Sequence, residues 1–388
     1  MAKGGPKKRK RTRPVHDRQR RKQLVKEVQG HFGVASSENS EDAWEAWEHD
    51  DSAMPRRRGM ASPTTPPVVG GDAAPDPATD PSTAADGPEG RIVSLESGLC
   101  GVETGSGADR EWIEAVLPSR LAADQRSKVA VGDRVQLEIH HEGYRVAAVQ
   151  PRRSILARPD PHNPRRQRVI AANVDVVVVV AALVDPPLRP ALVDRFLIAI
   201  DRGGATPLLV VNKVDLVTDP AELEERLAVL APHRAHGLDV IVASVPQGRG
   251  LDPLRQALAG KTAAFVGHSG VGKSSLVNAL QPGLDLATAA VSGGGTGRHT
   301  TTGSCLYHLD GDIDLIDTPG IREFGLWRLD ADELPDYFPD FSTADPCHFA
   351  NCSHTHEPHC GVQAAVDDGR IPRHRYDTYR RILASLEG

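Results

Sequence analysis

The stretch GHSGVGKSSL, residues 267–276, decides the fold of this chain. It matches the phosphate-loop pattern, and it follows a predicted strand and precedes a predicted helix, which is the context such a loop requires. Its glycines let successive backbone N–H groups point at phosphate oxygens, and the next helix adds its positive N-terminal end. A Gly-rich turn without a ligand is the alternative, but the lysine and hydroxyl that close the pattern favour a nucleotide. The predicted nucleotide-binding residues of the loop are Gly267, His268, Ser269, Gly270, Val271, Gly272, Lys273, Ser274 and Ser275.

The tetrapeptide NKVD, residues 212–215, indicates which base is bound. Asp215 follows a predicted strand, and its carboxylate can accept from the ring N–H and the exocyclic amine of guanine, an edge that adenine lacks. Asn212 would hold the loop and the base, while the stem of Lys213 would cover the base face. Backbone N–H groups after the next predicted strand are expected to contact the guanine carbonyl. The predicted residues on the base side are Asn212, Lys213, Val214, Asp215, Ala243 and Ser244.

Two stretches after the phosphate loop are predicted to sense the γ-phosphate. DTPG, residues 317–320, ends a predicted strand, so that Asp317 can hold Mg²⁺ through water and the Gly320 amide can contact the γ-phosphate. VSGGGTGRHTTTG, residues 291–303, is a Gly-rich stretch with consecutive threonines. We expect Thr301 to complete the Mg²⁺ shell together with Ser274, with the threonines on either side of Thr301 as alternatives.

The residue after Gly320 bears on catalysis. Many GTPases place a glutamine there to orient the attacking water, but this chain has Ile321, which cannot orient water by hydrogen bonding. Hydrolysis by the protein alone is therefore expected to be slow, with the missing function supplied by a switch residue, by a partner, or by both. His299 is the nearest titratable candidate, and a role in loop structure is the alternative. The predicted catalytic residues are Lys273, Asp317, Gly320, Thr301 and His299.

These motifs occur in an unusual order. The base-reading motif comes first and the phosphate loop and switches follow, whereas the usual GTPase domain begins with the phosphate loop. The order predicts a circular permutation, which the fold tolerates because each βα unit packs on its neighbours wherever the chain is cut. Near-continuous apolar strands alternate with helical stretches, which predicts a parallel sheet covered by helices on both faces.

Composition divides the 388 residues into four predicted segments, and so predicts a multidomain α/β protein. Residues 1–89 form a basic arm and an acidic, Pro-rich linker; the arm favours a polyanion partner, and a solvated tail is the alternative. Residues 90–157 show short alternating stretches typical of a small closed barrel, with an OB-fold as the leading interpretation and an SH3-like barrel as the other. Residues 158–328 carry the nucleotide motifs, and residues 329–388 form a short C-terminal domain.

The C-terminal segment contains CHFANCSHTHEPHC, residues 347–360. Three sulfurs and one nitrogen at these spacings can surround one tetrahedral Zn²⁺, and four protein ligands leave no open position, so the metal would be structural. Neighbouring histidines compete for the nitrogen position, and a chance cluster of thiols is the alternative. The predicted ligands are Cys347, Cys352, His354 and Cys360.

The remaining sequence features favour a cytoplasmic protein. Five cysteines, an odd number, argue against a disulfide framework. The most apolar run, residues 174–184, is shorter than the ~20 residues that cross a bilayer and includes Asp175, so we expect a buried strand and no membrane association. With no oligomerisation signal, a monomer is the default expectation.

Taken together, the permuted order, NKVD, GHSGVGKSSL, GRHTTT, DTPGIREFGLW and the Cys-x4-Cys-x-His-x5-Cys set strongly resemble the circularly permuted, small ribosomal subunit-dependent GTPase A (RsgA) family, from about residue 90 to residue 386. The resemblance implies an OB-fold, a permuted GTPase domain binding GTP and GDP with Mg²⁺, and a zinc domain. It also implies a role in late maturation of the small (30S) ribosomal subunit, contact with its rRNA, and hydrolysis stimulated by that subunit. The alternative function is a GTP-sensing module that binds RNA or protein and hydrolyses GTP only incidentally.

Overall fold

One continuous sheet runs through both the central domain and the N-terminal barrel of the structure. The computed structural model describes residues 86–96, 98–118, 121, 129–141, 143–160, 163–284, 304–317, 326 and 329–387. The strands within these ranges are β1 (Glu89–Glu96), β2 (Leu99–Thr104), β3 (Glu111–Val116), β4 (Arg134–His140), β5 (Gly143–Val149), β6 (Ile155–Asp160), β7 (Asn163–Ala172), β8 (Val176–Ala182), β9 (Thr206–Asn212), β10 (Val240–Val242), β11 (Thr262–Val266), β12 (Cys305–Leu309) and β13 (Ile313–Asp317). The α-helices are α1 (Pro190–Arg202), α2 (Pro220–Ala228), α3 (Ala231–Ala235), α4 (Leu251–Leu258), α5 (Lys273–Leu280), α6 (Gly361–Asp367) and α7 (Arg373–Glu387).

The sheet of the central domain has the order β10-β9-β8-β11-β13-β12. All of these strands are parallel to their neighbours except β12, which is antiparallel to β13. The valines of β8 contribute alternately to two hydrophobic cores, with Val177 and Val179 packing in one and Val178 and Val180 in the other. Helix α1 covers the first face, and helices α4 and α5 cover the second. This confirms the predicted parallel sheet, because a strand buried on both faces has no polar face to alternate with.

The N-terminal strands close into a five-stranded barrel in the order β1-β2-β3-β5-β4-β1. Strands β3 and β5 pair in parallel, and β1 closes the barrel by pairing antiparallel with β4. The barrel core includes Ile92, Val102, Val135 and Leu137, each fully buried. Strands β6 and β7 form a separate two-stranded sheet, and the predicted domain boundary at residue 157 falls within β6.

The barrel and the central sheet meet where β1 pairs with β12, at Ser94 opposite Cys305. Polar contacts surround this pairing. The Arg91 guanidinium lies 2.5 Å from a carboxylate oxygen of Asp314 and donates to the Thr262 hydroxyl at 2.9 Å. The ring nitrogens of His308 lie 2.5 Å from Glu103 and 2.6 Å from Asp314. The barrel is therefore attached to the edge of the central sheet that ends at β12.

The C-terminal domain consists of 3-10 turns at Ala331–Tyr337 and Pro339–Thr343, the cysteine-rich loop, and helices α6 and α7. Its core centres on Phe338 and Tyr379, whose rings meet edge to face at 5.3 Å. Ile198 of α1 packs into the same core, so the domain is docked on a helix of the central domain. Within the described residues, no helix has the length and apolar character that crossing a membrane requires.

Candidate functional site

The phosphate loop lies at the carboxyl end of β11, in the centre of the sheet. Gly267, Gly270 and Gly272 have φ values of +139°, +78° and +92°, a region that favours glycine. At Gly267 a Cβ atom would lie 2.2 Å from the Val180 carbonyl oxygen, so only glycine fits beside β8. Gly272 is the N-cap of α5, whose first residue is Lys273. The loop is thus curled against the sheet and delivers the chain into a helix, as the motif predicts.

Lys273 and Ser274 begin that helix. The Lys273 ammonium donates to the carbonyl oxygens of Gly267 and His268, both at 2.7 Å. These bonds fold the side chain back across the loop, so its charge lies inside the curl of the backbone. Ser269 lies in the exposed part of the turn, and Ser274 and Ser275 are partly buried in the first turn of the helix.

Asn212 joins the base-reading motif to the phosphate loop. Its side-chain N–H₂ donates to the Val271 carbonyl oxygen at 2.9 Å, although β8 lies between β9 and β11 in the sheet. A Cβ atom on Gly272 would lie 2.4 Å from the same nitrogen. Motifs that are 59 residues apart in the chain are therefore in direct contact, with the phosphate loop resting on the Asn212 amide.

Asp215 and Lys213 follow Asn212 in a tight turn. The Oδ1 atom of Asp215 is buried and has no hydrogen-bond partner among the described residues. Lys213 adopts φ +61°, and its ammonium donates to the Asp185 carbonyl oxygen at 2.6 Å. Val214 is buried beneath the turn in the same core as β8 and β9. The turn presents a carboxylate oxygen that requires a donor, since an unpaired buried acceptor costs about 1–3 kcal/mol.

Sequence analysis missed the contribution of Asp185. It lies in the loop between β8 and α1, and its carbonyl holds Lys213 while the next residue, Pro186, approaches Gly270. The signal available in the sequence was DPPLRP directly after a buried strand, because two prolines fix the backbone of a loop leaving a sheet edge.

The structure corrects the predicted role of the Ala243 and Ser244 amides. The Ala243 N–H donates to the Val211 carbonyl at 2.8 Å, and the Ser244 N–H donates to the Arg249 carbonyl at 3.0 Å. Both groups are used by the protein, because the chain from Ser244 to Arg249 closes a hairpin-like turn. Neither amide is free for a guanine carbonyl.

The turn that follows offers one alternative donor. Pro246 has no N–H, and the amides of Gln247 and Gly248 donate within the turn, to the Ser244 hydroxyl and the Val245 carbonyl. The Val245 amide donates to no acceptor within the described part of the chain. It is the next N–H group after the two that were predicted.

Asp317 ends β13, the strand beside β11, so it shares the carboxyl edge of the sheet with the phosphate loop. Burial raises the pKa of its carboxyl group. On the neighbouring strand Cys305 lies directly opposite Asp317, and burial, followed by the charges of Asp317 and Glu96, raises the pKa of its thiol. The other predicted catalytic residues, Gly320, Thr301 and His299, lie outside the described residues, as does Ile321.

The four predicted metal ligands lie together in the C-terminal domain, with all ligand atoms within 4.8 Å of one another. The Cys347 sulfur is 3.4 Å from the His354 Nδ1 atom and 3.9 Å from the Cys360 sulfur, and the Cys360 sulfur is 3.5 Å from the same nitrogen. A tetrahedral ion with Zn–S bonds of about 2.3 Å and a Zn–N bond of about 2.0 Å separates such ligand atoms by roughly 3.5–3.8 Å. The cluster could therefore hold one metal ion.

The surroundings of the cluster shift the pKa values of its ligands in different directions, and burial raises that of the Cys352 thiol to about 12. Although burial acts in the opposite direction, backbone N–H groups of Gly361 and Val362 lower the pKa of the Cys347 thiol. Burial lowers the pKa of His354 against the opposing charge of Glu357, which keeps the ring neutral. Metal ions bind thiolate and neutral imidazole, so the shifts at Cys347 and His354 favour metal binding, whereas a metal would have to displace the proton of Cys352.

Three residues that sequence analysis missed hold the ligand loop in place. The hydroxyls of Tyr376 and Tyr379 on α7 donate to the carbonyl oxygens of His354 and Ser353, at 2.6 and 2.9 Å. The Glu357 carboxylate accepts from the Ser353 amide at 2.7 Å and the Thr355 amide at 3.1 Å. The two tyrosines, spaced three apart in a predicted helix, were the available signal, since that spacing puts them on one face.

Comparisons with known proteins agree with this geometry. The model of the RsgA GTPase family matches residues 149–327. The small ribosomal subunit biogenesis GTPase RsgA of Gemmatimonas aurantiaca is 40% identical over 306 residues, which cover 77% of this chain and 97% of the relative. The protein of the same name from Yersinia enterocolitica is 37% identical over 317 residues, covering 80% and 89%.

Two solved structures share the fold. The crystal structure of YjeQ from Thermotoga maritima matches with a TM-score of 0.62 and 30% identity, over 78% of this chain and 99% of that chain. The structure of YloQ, described as a circularly permuted GTPase, matches with a TM-score of 0.59 and 28% identity, over 77% and 95%. The predicted permutation is confirmed, and the chain belongs to the RsgA family of circularly permuted GTPases.

Proposed function

We propose that this protein hydrolyses GTP to GDP and phosphate during late maturation of the small (30S) ribosomal subunit, and that the subunit stimulates the hydrolysis that times the protein's release. The observation that carries the proposal is the hydrogen bond from Asn212 to Val271, which unites a base-reading turn and a phosphate loop in one site. The names of the relatives, small ribosomal subunit biogenesis GTPases, support the choice of particle.

Guanine is the base that suits this site. Asp215 would accept from the ring N–H and the exocyclic amine of guanine, which supplies the donors that its buried Oδ1 atom lacks among the described residues. The amide of Val245, which donates to no acceptor among the described residues, would donate to the guanine carbonyl in place of Ala243 and Ser244. Adenine lacks the donor edge that Asp215 would bind, and it carries an amine where guanine carries that carbonyl. The Asp215 and Val245 contacts therefore both select against adenine.

Magnesium suits the phosphate side. Ser274 and Asp317 would hold the ion, with Thr301 as the expected third contributor, and Mg²⁺ when bound neutralises charge on the phosphate oxygens. Lys273 would turn from the Gly267 and His268 carbonyls to the β- and γ-phosphates. The Gly320 amide would contact the γ-phosphate.

Slow hydrolysis by the protein alone follows from Ile321, which offers no hydrogen bond to the attacking water. His299 and the subunit itself are the proposed sources of the missing group. A GTPase that needs its target particle to complete the site hydrolyses GTP only after binding that particle, which gives hydrolysis its timing role.

The other parts of the chain would bind the particle. The strand order of the barrel supports an OB-fold, a fold that often binds nucleic acid, and we assign rRNA contact to it and to the basic arm within residues 1–89.

The division into residues 90–157, 158–328 and 329–388 stands as our proposed domain scheme. The metal of the C-terminal domain would be one structural Zn²⁺, since Cys347, Cys352, His354 and Cys360 fill all four positions of a tetrahedron. We propose a cytoplasmic monomer.

The proposal is tested by steady-state GTP hydrolysis of the full chain alone, with purified small ribosomal subunits, with large subunits and with free rRNA. We expect strong stimulation by small subunits only. Equal, slow turnover in all four conditions would overturn the proposed stimulation and timing, and stimulation by free rRNA alone would replace the particle with RNA as the trigger.

A further inference from the structure

Helix α1 contacts both the nucleotide site and the C-terminal domain. On the side of the sheet, Val193 and Phe196 pack against β8 and β9. On the opposite side, Ile198 packs into the C-terminal core with Phe338 and Tyr379, and α7 lies against α1. A single helix of 13 residues therefore belongs to the cores of two domains.

The first turns of α1 and the loop before it adjoin the phosphate loop. Residues 186–189, Leu192 and Val193 line a pocket together with His268 and Val271 of the phosphate loop. The same loop holds the base-reading turn through the bond from Lys213 to the Asp185 carbonyl. The position of α1 and its preceding loop thus bears on the phosphate loop through this pocket and on the base-reading turn through Asp185.

A buried ionic cluster fixes α1 to the C-terminal domain. The Arg375 guanidinium of α7 pairs with Asp194 of α1, and two of its nitrogens lie 2.8 Å from one oxygen of Asp340. His233 of α3 also contacts Asp194, at 2.6 Å. The Arg375, Asp194 and Asp340 side chains are each 3–5% exposed.

With such a cluster, docking of the C-terminal domain on α1 depends on the relative positions of the buried charged groups. Buried charges are tolerated only when their hydrogen-bonding partners are in place, so a small shift of α7 relative to α1 separates Arg375 from a carboxylate that has no access to water. Among the described residues the contact also includes the apolar packing of Ile198 and polar pairs nearer the surface, such as Arg202 with Glu333 at 2.6 Å. Packed interfaces of this kind move between discrete arrangements and do not deform smoothly.

We propose that α1 couples the C-terminal domain to the nucleotide site, and that Arg375 is the positioning residue through which docking of that domain controls GTP hydrolysis. Arg375 touches neither nucleotide loop nor metal ligand among the described residues. It acts by holding α1, and α1 holds the loop beside His268, Val271 and Lys213. The inference rests on the proposed guanine-nucleotide site, and its hydrolysis readout rests in addition on the proposed stimulation by small subunits.

Coupling between two sites is reciprocal, so a nucleotide must affect the C-terminal domain as that domain affects the nucleotide site. Hydrogen–deuterium exchange of the full chain with and without GDP measures this directly. In the unmodified protein GDP should slow exchange in residues 190–202 and 373–387 as well as in the phosphate loop. In the Arg375→Met variant the protection should remain in the phosphate loop and disappear from residues 373–387.

Arg370→Met is the matched control, because Arg370 lies in the same domain and pairs with Asp345 and Asp368 at the surface. This variant should keep the full response to GDP. Both variants should keep one bound zinc, which shows that the metal site is intact. In hydrolysis stimulated by small subunits, Arg375→Met should lower kcat by about tenfold with little change in the KM for GTP, a size typical of coupling between distant sites.

The inference is overturned if GDP leaves exchange in residues 373–387 of the unmodified protein unchanged, or if Arg375→Met responds to GDP as the unmodified protein does. It is also overturned if Arg370→Met loses the response equally. Should Arg375→Met fail to fold or lose zinc, Asp340→Asn decides the question by the same readouts, since it keeps the shape of the cluster and the Arg375–Asp194 pair. Absent stimulation by subunits in the unmodified protein would count against the proposed function alone, because the exchange experiment needs no hydrolysis.

Discussion

Replacing Gly272 with alanine should weaken GDP binding far more than it weakens folding. Gly272 has φ +92°, and the added methyl group would lie 2.4 Å from the side-chain nitrogen of Asn212. That nitrogen donates to Val271 at 2.9 Å, so it cannot move without losing the bond. Asn212 is also 3% exposed, and its neighbours leave it little room.

Two contributions set the expected loss of GDP affinity in Gly272→Ala. A side chain in the left-handed region costs about 1–2 kcal/mol. Loss of the hydrogen bond from Asn212 to Val271 adds about 1 kcal/mol. The free protein can relieve this strain by opening the loop, but a bound polyphosphate requires the curled backbone, so the cost falls mainly on affinity. Because about 1.4 kcal/mol corresponds to a tenfold change, the Kd for GDP should rise roughly 30- to 150-fold.

Titration with a fluorescent GDP analogue measures the effect, with thermal unfolding as the measure of stability. Gly283→Ala is the matched control, because Gly283 has φ +94° but a Cβ atom there meets nothing within 4 Å. This control should lower stability and leave the Kd unchanged. A double-mutant cycle with Asn212→Ala should show less than additive losses, since removing the Asn212 side chain removes the clash. An unchanged Kd for Gly272→Ala, or fully additive losses, would refute the proposed contact between the two motifs.

Three further substitutions test the rest of the site. Asp215→Asn should cost about 1.5–3 kcal/mol of GDP affinity, because the buried carboxylate acceptor is replaced in part by a donor. Competition by GDP and ADP should show a reduced preference for guanine, and unchanged selectivity would contradict the assignment of Asp215. Asp317→Asn should abolish Mg²⁺-dependent hydrolysis yet raise the Tm at neutral pH. Burial raises the pKa of Asp317, so its ionised form destabilises the fold above that pKa. The gain in Tm should therefore shrink as the pH falls and Asp317 itself becomes protonated. A gain in Tm that is constant with pH would argue against this cause. Cys352→Ser should release zinc and lower the stability of the C-terminal domain, whereas Cys305→Ser, outside the cluster, should retain zinc, as measured by metal analysis of both variants.

The elements that sequence analysis predicted well are those with a local signal. The valine run of β8 identifies a strand buried on both faces, and the motif order identifies the permutation without knowledge of any contact. The candidate metal cluster is recognisable because a short loop brings all four side chains within 4.8 Å of one another.

The features that could not be predicted depend on pairs distant in the chain. Arg375 and Asp194 are 181 residues apart, and no periodicity in either helix indicates that they meet. The pairing of β1 with β12 rests on one residue of each strand, Ser94 and Cys305. The Ala243 and Ser244 amides were misassigned because their acceptors, Val211 and Arg249, are set by the sheet and the following turn, which residue types alone do not specify.

The site of the permutation explains how the appended domains would act on the nucleotide under the proposed function. In this chain α4 is followed after three residues by β11, so the cut lies elsewhere, before β8 and after β13. These two strands are the neighbours of β11 on either side. The barrel and the β6–β7 hairpin therefore lead into one flank of the phosphate-loop strand, and the C-terminal domain follows the other. Cys305 adds a second connection, since it pairs with Ser94 of the barrel and with Asp317, the proposed magnesium ligand at the end of β13. An unpermuted order would place the chain ends at α4 and β11 and would join the appended domains there, away from the two strands that flank β11. Under the proposed function, the permutation gives a ribosomal particle bound to the barrel or the C-terminal domain a direct covalent route to the strands that flank the phosphate-loop strand.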